Sequence, residues 1–141
     1  MQILQDTKQF EYNTMSKKEI LNTDKAPAAI GPYNQAVKAD RTLYVSGQIP
    51  LIPETMELIS TGVADEAHQV LKNVGAILKH AGYDYGDVVK TSIFLSSMDY
   101  FATVNEVYAE YFKENQPARE CVAVKTLPKE VNVEISVIAF K

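Results

Sequence analysis

Arg119–Phe140 reads RECVAVKTLPKEVNVEISVIAF, and the fold turns on how this stretch doubles back. Small and β-branched apolar residues fall at every second position, the period of a strand with one buried face. Leu127-Pro128-Lys129-Glu130 breaks the alternation, since proline lacks the amide that a ladder needs. The pattern predicts strands over residues 119–126 and 131–140, joined as a hairpin. Val122, Val124, Val133, Ile135 and Val137 form the apolar set to be packed under helices. Arg119, Cys121 and Ala123 then project from the other face. A symmetric connection pairs odd positions of the first strand with even positions of the second, and so brings Glu134 to that face as well. An arginine, a thiol and a carboxylate are thereby expected together on the side opposite the helices. Such a group is either an edge ion pair or a small anionic site. In the second case Arg119 grips a carboxylate through two parallel hydrogen bonds, and Glu134 handles a proton or a water.

Working outward, Val63, Ala67, Val70, Leu71, Val74, Ile77, Leu78 and Ala81 recur at spacings of three and four, which predicts a helix over residues 63–81. Gly82 suits the position just past its end. Val88–Leu95 is β-branched and apolar, a buried strand. Ser96-Ser97-Met98-Asp99 has the form of a helix start, and Phe101, Val104, Tyr108, Tyr111 and Phe112 stripe a second helix ending near Gln116. Lys18–Leu21, Gln35–Lys38 and Thr42–Ile49 read as strands, the last two around an Asp40-Arg41 turn. Asp24–Pro32 and Pro50–Thr61 read as loops. The order predicts an α+β sandwich, one mixed sheet with two helices on one face. Residues 1–16 are expected to be a tail, disordered or loosely docked, and residues 17–141 a single domain.

The 141 residues are 46% hydrophobic and 23% charged, a globular balance that argues against disorder. A net charge of −4 argues against a general phosphate-binding surface and hence against nucleic acid. One cysteine makes neither an internal disulfide nor a thiolate zinc cage. No apolar run is long enough to span a membrane, and the first residues lack the apolar core of a signal peptide, so a cytoplasmic location is expected. Gly31, Gly47 and Gly62 are isolated, so no phosphate loop is present. His68 and His80 fall on the polar side of the first helix, too far apart in sequence for a helix-face metal pair. Only two of the basic residues are arginines, Arg41 and Arg119; Arg41 reads as a solvated turn residue. Asn105 lies on the apolar stripe of the second helix, where an amide needs partners.

Five stretches together resemble the RidA/YjgF family of reactive-intermediate deaminases: AIGPYNQA (29–36), YVSGQIPL (44–51), ATVNEVYAEYF (102–112), PAREC (117–121) and LPKEVNVEI (127–135). The resemblance implies a chorismate-mutase-like fold assembled as a homotrimer, with sites in the clefts between subunits. It implies hydrolysis of 2-imino acids or their enamine tautomers, such as 2-aminoacrylate and 2-iminobutanoate, to 2-keto acids and ammonia. No cofactor and no metal are implied. By motif position, Arg119 would clamp the substrate carboxylate and Glu134 would position the attacking water. Tyr33 would line the pocket, Gly47 would offer a backbone N–H, and Ser46, Asn105 and Cys121 would complete the wall. The chain departs from the usual pattern at Glu120, Glu66 and Ser136. Two other roles compete with deamination: a non-catalytic trimer that binds a small carboxylate, and an RNA-cleaving translation inhibitor.

Overall fold

The computed structural model describes residues 17–141. The expected tail at residues 1–16 lies outside that range. Six strands form one sheet: β1 (Lys18–Leu21), β2 (Ala36–Ala39), β3 (Thr42–Gln48), β4 (Val88–Leu95), β5 (Ala118–Ala123) and β6 (Val133–Phe140). Among the described residues two helices, α1 (Val63–His80) and α2 (Phe101–Tyr111), join the sheet in the α+β architecture expected from the sequence. α1 buries Ala67, Val70, Leu71, Val74, Ile77 and Leu78, the predicted stripe, and Gly82 follows it with φ 84°. α2 is shorter than its stripe suggested. Ser97 Oγ accepts a hydrogen bond from the Asp99 amide and opens a 3-10 turn, Met98–Tyr100, that leads into the helix.

The strand order is β1-β2-β3-β6-β4-β5. This overturns the expected hairpin: β5 and β6 do not pair, because β4 lies between them. β5 runs parallel to β4, and a parallel neighbour requires a crossover, which α2 supplies. β6 runs antiparallel to both β3 and β4 and fills the gap that the α1 crossover leaves. Arg119 is the register partner of Thr91, which partners Val137; Cys121 partners Ile93, which partners Ile135. Register partners share a face. Arg119 and Cys121 therefore project on the helix side of the sheet, not opposite it. Glu134 partners Phe94, which partners Val122, on the other side. Of the apolar set expected under the helices, Val133, Ile135 and Val137 are buried there, Val122 is 45% exposed on the outer face, and Val124 joins a smaller cluster with Ile49, Leu51, Leu127 and Val131.

One outer row crosses the whole sheet: Ile20, Val37, Tyr44, Ile138, Lys90 and Ala118. Ile20, Tyr44 and Phe140 leave large apolar area exposed on this face. Among the described residues, no helix is long and apolar enough to cross a membrane.

Candidate active site

Six of the seven residues expected at the site fall into two clefts that share no lining residue. The first, about 240 Å³, lies between α2 and the start of β5 and is lined by Asn105, Tyr108, Phe112, Pro117 and Arg119 among others. Arg119 Nη1 donates to Asn105 Oδ1 at 2.8 Å. Its guanidinium carbon lies 4.8 Å from the Tyr108 ring centroid and 5.8 Å from that of Phe101, so the cation rests on two aromatic faces. Asn105 is exposed rather than covered by the apolar stripe, and the partner of its oxygen is Arg119. Only one guanidinium nitrogen is engaged in a side-chain hydrogen bond, so donors remain for a ligand.

The second cleft, about 350 Å³, opens on the outer face and is lined by Ile30, Tyr33, Ser46, Gly47, Ile49, Pro128 and Glu134. A β-bulge shapes it. Val45 pairs with Val137 and Gln48 with Ile135, so Ser46 and Gly47 stand opposite Ser136 alone. A Cβ on Gly47 would collide with the Glu134 carboxylate, which is why the position suits glycine. Ser46 Oγ donates to the Asn34 carbonyl at 2.6 Å, and this bond ties the bulge to the loop that carries Tyr33. Buried Gln35 anchors the same loop, donating to the carbonyls of Thr23, Ala26 and Pro27. Tyr33 OH accepts from the Ile30 amide at 3.3 Å.

Half-burial among apolar neighbours pushes the Glu134 carboxyl above the ordinary carboxylate range. Cys121 is half-buried against the main core, and burial raises its thiol pKa despite the nearby Arg119 charge. A thiol held in that form is a poor nucleophile. It shares the Arg119 face but lines neither cleft. His68 bonds Tyr111 OH at 2.9 Å and Glu110 at 3.3 Å, away from both clefts. Glu120 lies on the opposite face from Arg119, as alternation requires, but that face is the outer one and not the helix side expected from the sequence; it pairs with Lys90 at 2.7 Å. Among the described residues, no group of three or more His, Cys, Asp and Glu side chains is arranged to hold a metal ion.

Sequence reasoning passed over Tyr108, which it read as core stripe, and Ile30, Ile49 and Pro128. A signal existed for all four: each lies inside a stretch that carries the family resemblance.

The profile of the Endoribonuclease L-PSP family matches residues 23–141. Human 2-iminobutanoate/2-iminopropanoate deaminase is 52% identical over 124 residues, covering 88% of this chain and 90% of the human one. A putative endoribonuclease from Thermotoga maritima, known from its crystal structure, superposes with a TM-score of 0.87 at 50% identity, over 89% of this chain and 98% of that one. E. coli TdcF, solved with bound serine, has a TM-score of 0.83 at 44% identity, over 87% and 98%. The chain belongs to the Endoribonuclease L-PSP family, the RidA/YjgF group that its motifs resemble.

Proposed function

We propose that the protein hydrolyses 2-imino acids to 2-keto acids and ammonia, without a cofactor, in sites formed where copies of the chain meet as a trimer of chorismate-mutase-like subunits. The observation that carries this reading is the split of Arg119 and Glu134 between opposite faces of one sheet. Each cleft holds half of what imine hydrolysis needs. A second copy laid against the outer face brings its Arg119 cleft to the Glu134 cleft, and covers Ile20, Tyr44 and Phe140 in doing so.

The chemistry follows from the substrate. A protonated imine is already electrophilic, so the site must anchor it and activate water. Arg119 holds the carboxylate through its free donors. Glu134, ionised, takes a proton from water as the water oxygen adds to the imine carbon. The product is a carbinolamine. Glu134 returns the proton to the amine nitrogen; the C–N bond then breaks as Glu134 takes the hydroxyl proton, the carbonyl forms, and that proton passes to the departing ammonia, which leaves as ammonium. A raised pKa suits a group that must accept and then give up a proton near neutrality. Tyr33, Ile30 and Pro128 shape the wall beside the reacting carbon.

A second reading, a non-catalytic trimer that binds a small carboxylate, draws on the solved relative with bound serine. An RNA-cleaving role has less support: the net charge is −4, and each cleft offers at most one cation. A coupled assay separates these roles. An amino-acid dehydratase or oxidase generates imines from several amino acids, and imine loss is followed as protein is added. Acceleration by the wild type, absent with Arg119→Ala, is expected. Binding of the 2-keto acid without acceleration for any imine would favour the second reading.

A further inference from the structure

Arg119 stands on an exposed edge strand, where a long side chain ordinarily keeps most of its rotamer freedom. Its guanidinium is nonetheless held on three sides, by Asn105 Oδ1, the Tyr108 ring and the Phe101 ring, all carried by α2. Of these, Tyr108 is tied back to the sheet. Its hydroxyl bonds Thr91 Oγ1 at 2.9 Å, and Thr91 is completely buried. Thr91 is also the β4 residue that faces Arg119 across the parallel ladder. The contacts form a closed circuit: Arg119 across the ladder to Thr91, from Thr91 to the Tyr108 hydroxyl, and from the Tyr108 ring back to the guanidinium. The Phe112 ring, stacked 4.4 Å from that of Tyr108, closes the far side. A hydroxyl at a core position costs burial that valine would avoid, so Thr91 needs a partner and has one.

We infer that Tyr108, locked by Thr91, is a positioning residue that sets the Arg119 guanidinium for a carboxylate before any ligand arrives. The inference rests on the reading of Arg119 as carboxylate anchor. Preorganisation removes an ordering cost from the binding step. It therefore acts on affinity, equally in ground and transition states, and leaves turnover alone.

The sequence supplies its own probe. With only two arginines, nitrogen-15 spectra of the Nε groups carry one signal for Arg119 and one for Arg41. Arg41 serves as reference, since it donates to the Lys141 carbonyl and rests on Phe140, away from both clefts. The full chain is compared with Thr91→Val, Tyr108→Phe, the double variant and Thr91→Ser. Rotation about the Arg119 Nε–Cζ bond should quicken in Thr91→Val and Tyr108→Phe, with Arg41 unchanged. In the same variants, Kd for 2-oxobutanoate and KM for the imine should rise about three- to tenfold, with kcat within about twofold. The double variant should be no worse than either single, because both remove one bond. Thr91→Ser restores the hydroxyl and should restore the wild-type values. Unchanged rotation and Kd in both single variants would overturn the inference, as would equal losses in Thr91→Ser and Thr91→Val. If the wild type neither binds the keto acid nor consumes imine, while Arg119 rotation still responds to Thr91→Val and not to Thr91→Ser, the deaminase reading falls and the positioning role stands.

Discussion

At the scale of single residues, the account depends on two charges with different duties. Arg119 binds. Lysine in its place keeps a charge but loses the planar fork and its stacking on Tyr108. Arg119→Lys should therefore cost about 2–4 kcal/mol of carboxylate affinity, roughly 30- to 1000-fold in kcat/KM. Near-full activity in that variant would remove Arg119 from the anchor role. In the same proposal Glu134 acts on water. Glu134→Gln keeps the shape and loses the base, so turnover should collapse while calorimetry still detects keto-acid binding. Burial raises the Glu134 pKa, which fixes two signs. Activity needs the ionised form, so its acid limb should lie above the ordinary carboxylate range. For stability, a carboxyl whose folded pKa exceeds its unfolded one contributes fully below the unfolded value, and that contribution is lost as pH rises through the folded pKa. Glu134→Gln should therefore raise Tm relative to wild type at pH 7, and the difference should vanish on acidification below the unfolded pKa. A wild-type Tm that gains on the variant as pH rises would contradict the assignment.

At the scale of elements, the bulge in β3 and the loop before β6 hold the Glu134 cleft in shape. Gly47→Ala places a methyl where the Glu134 carboxylate lies, and a flexible side chain gives way more readily than backbone. That variant should fold, with Tm little changed, and should lose turnover; full activity would mean that Glu134 has room to spare. The loop before β6 is pinned by Glu66. Its buried carboxylate accepts from the Asn132 backbone N–H at 3.2 Å and from Asn132 Nδ2 at 2.8 Å. Glu66→Ala strands both donors and should cost about 2–4 kcal/mol in urea denaturation, whereas a loss below about 1 kcal/mol would mean that water replaces the carboxylate. Lys129 and Glu130, on this loop, both hold positive φ, so the turn relies on outside contacts to persist. The elements themselves were legible because each has a clear period: α1 repeats at three and four, and β6 alternates at two. Their order across the sheet was not. Adjacent strands in a chain usually pair, but β4 takes the place between β5 and β6, parallel to the first and antiparallel to the second. Placing β4 between β5 and β6 reversed the face assigned to Arg119 and Cys121. Six of the seven residues expected at the site line one cleft or the other, and the single shared surface expected for them is split in two.

At the scale of the whole molecule, that reversal strengthens the case for assembly. One chain cannot bring Arg119 and Glu134 to a common ligand, because the sheet separates their clefts. The outer face, with Ile20, Tyr44 and Phe140 exposed, offers the surface against which another copy would pack. The most direct test mixes two crippled chains. Arg119→Ala retains Glu134, and Glu134→Gln retains Arg119; each should be inactive alone. Unfolded together in equal amounts and refolded, they form mixed assemblies in which a site is intact only when its arginine and its glutamate come from different, complementary chains. Random mixing of two donors per site predicts recovery of roughly a quarter of wild-type deaminase activity. A mixture as inactive as its components, with mixed assemblies verified by mass, would contradict a site shared between chains.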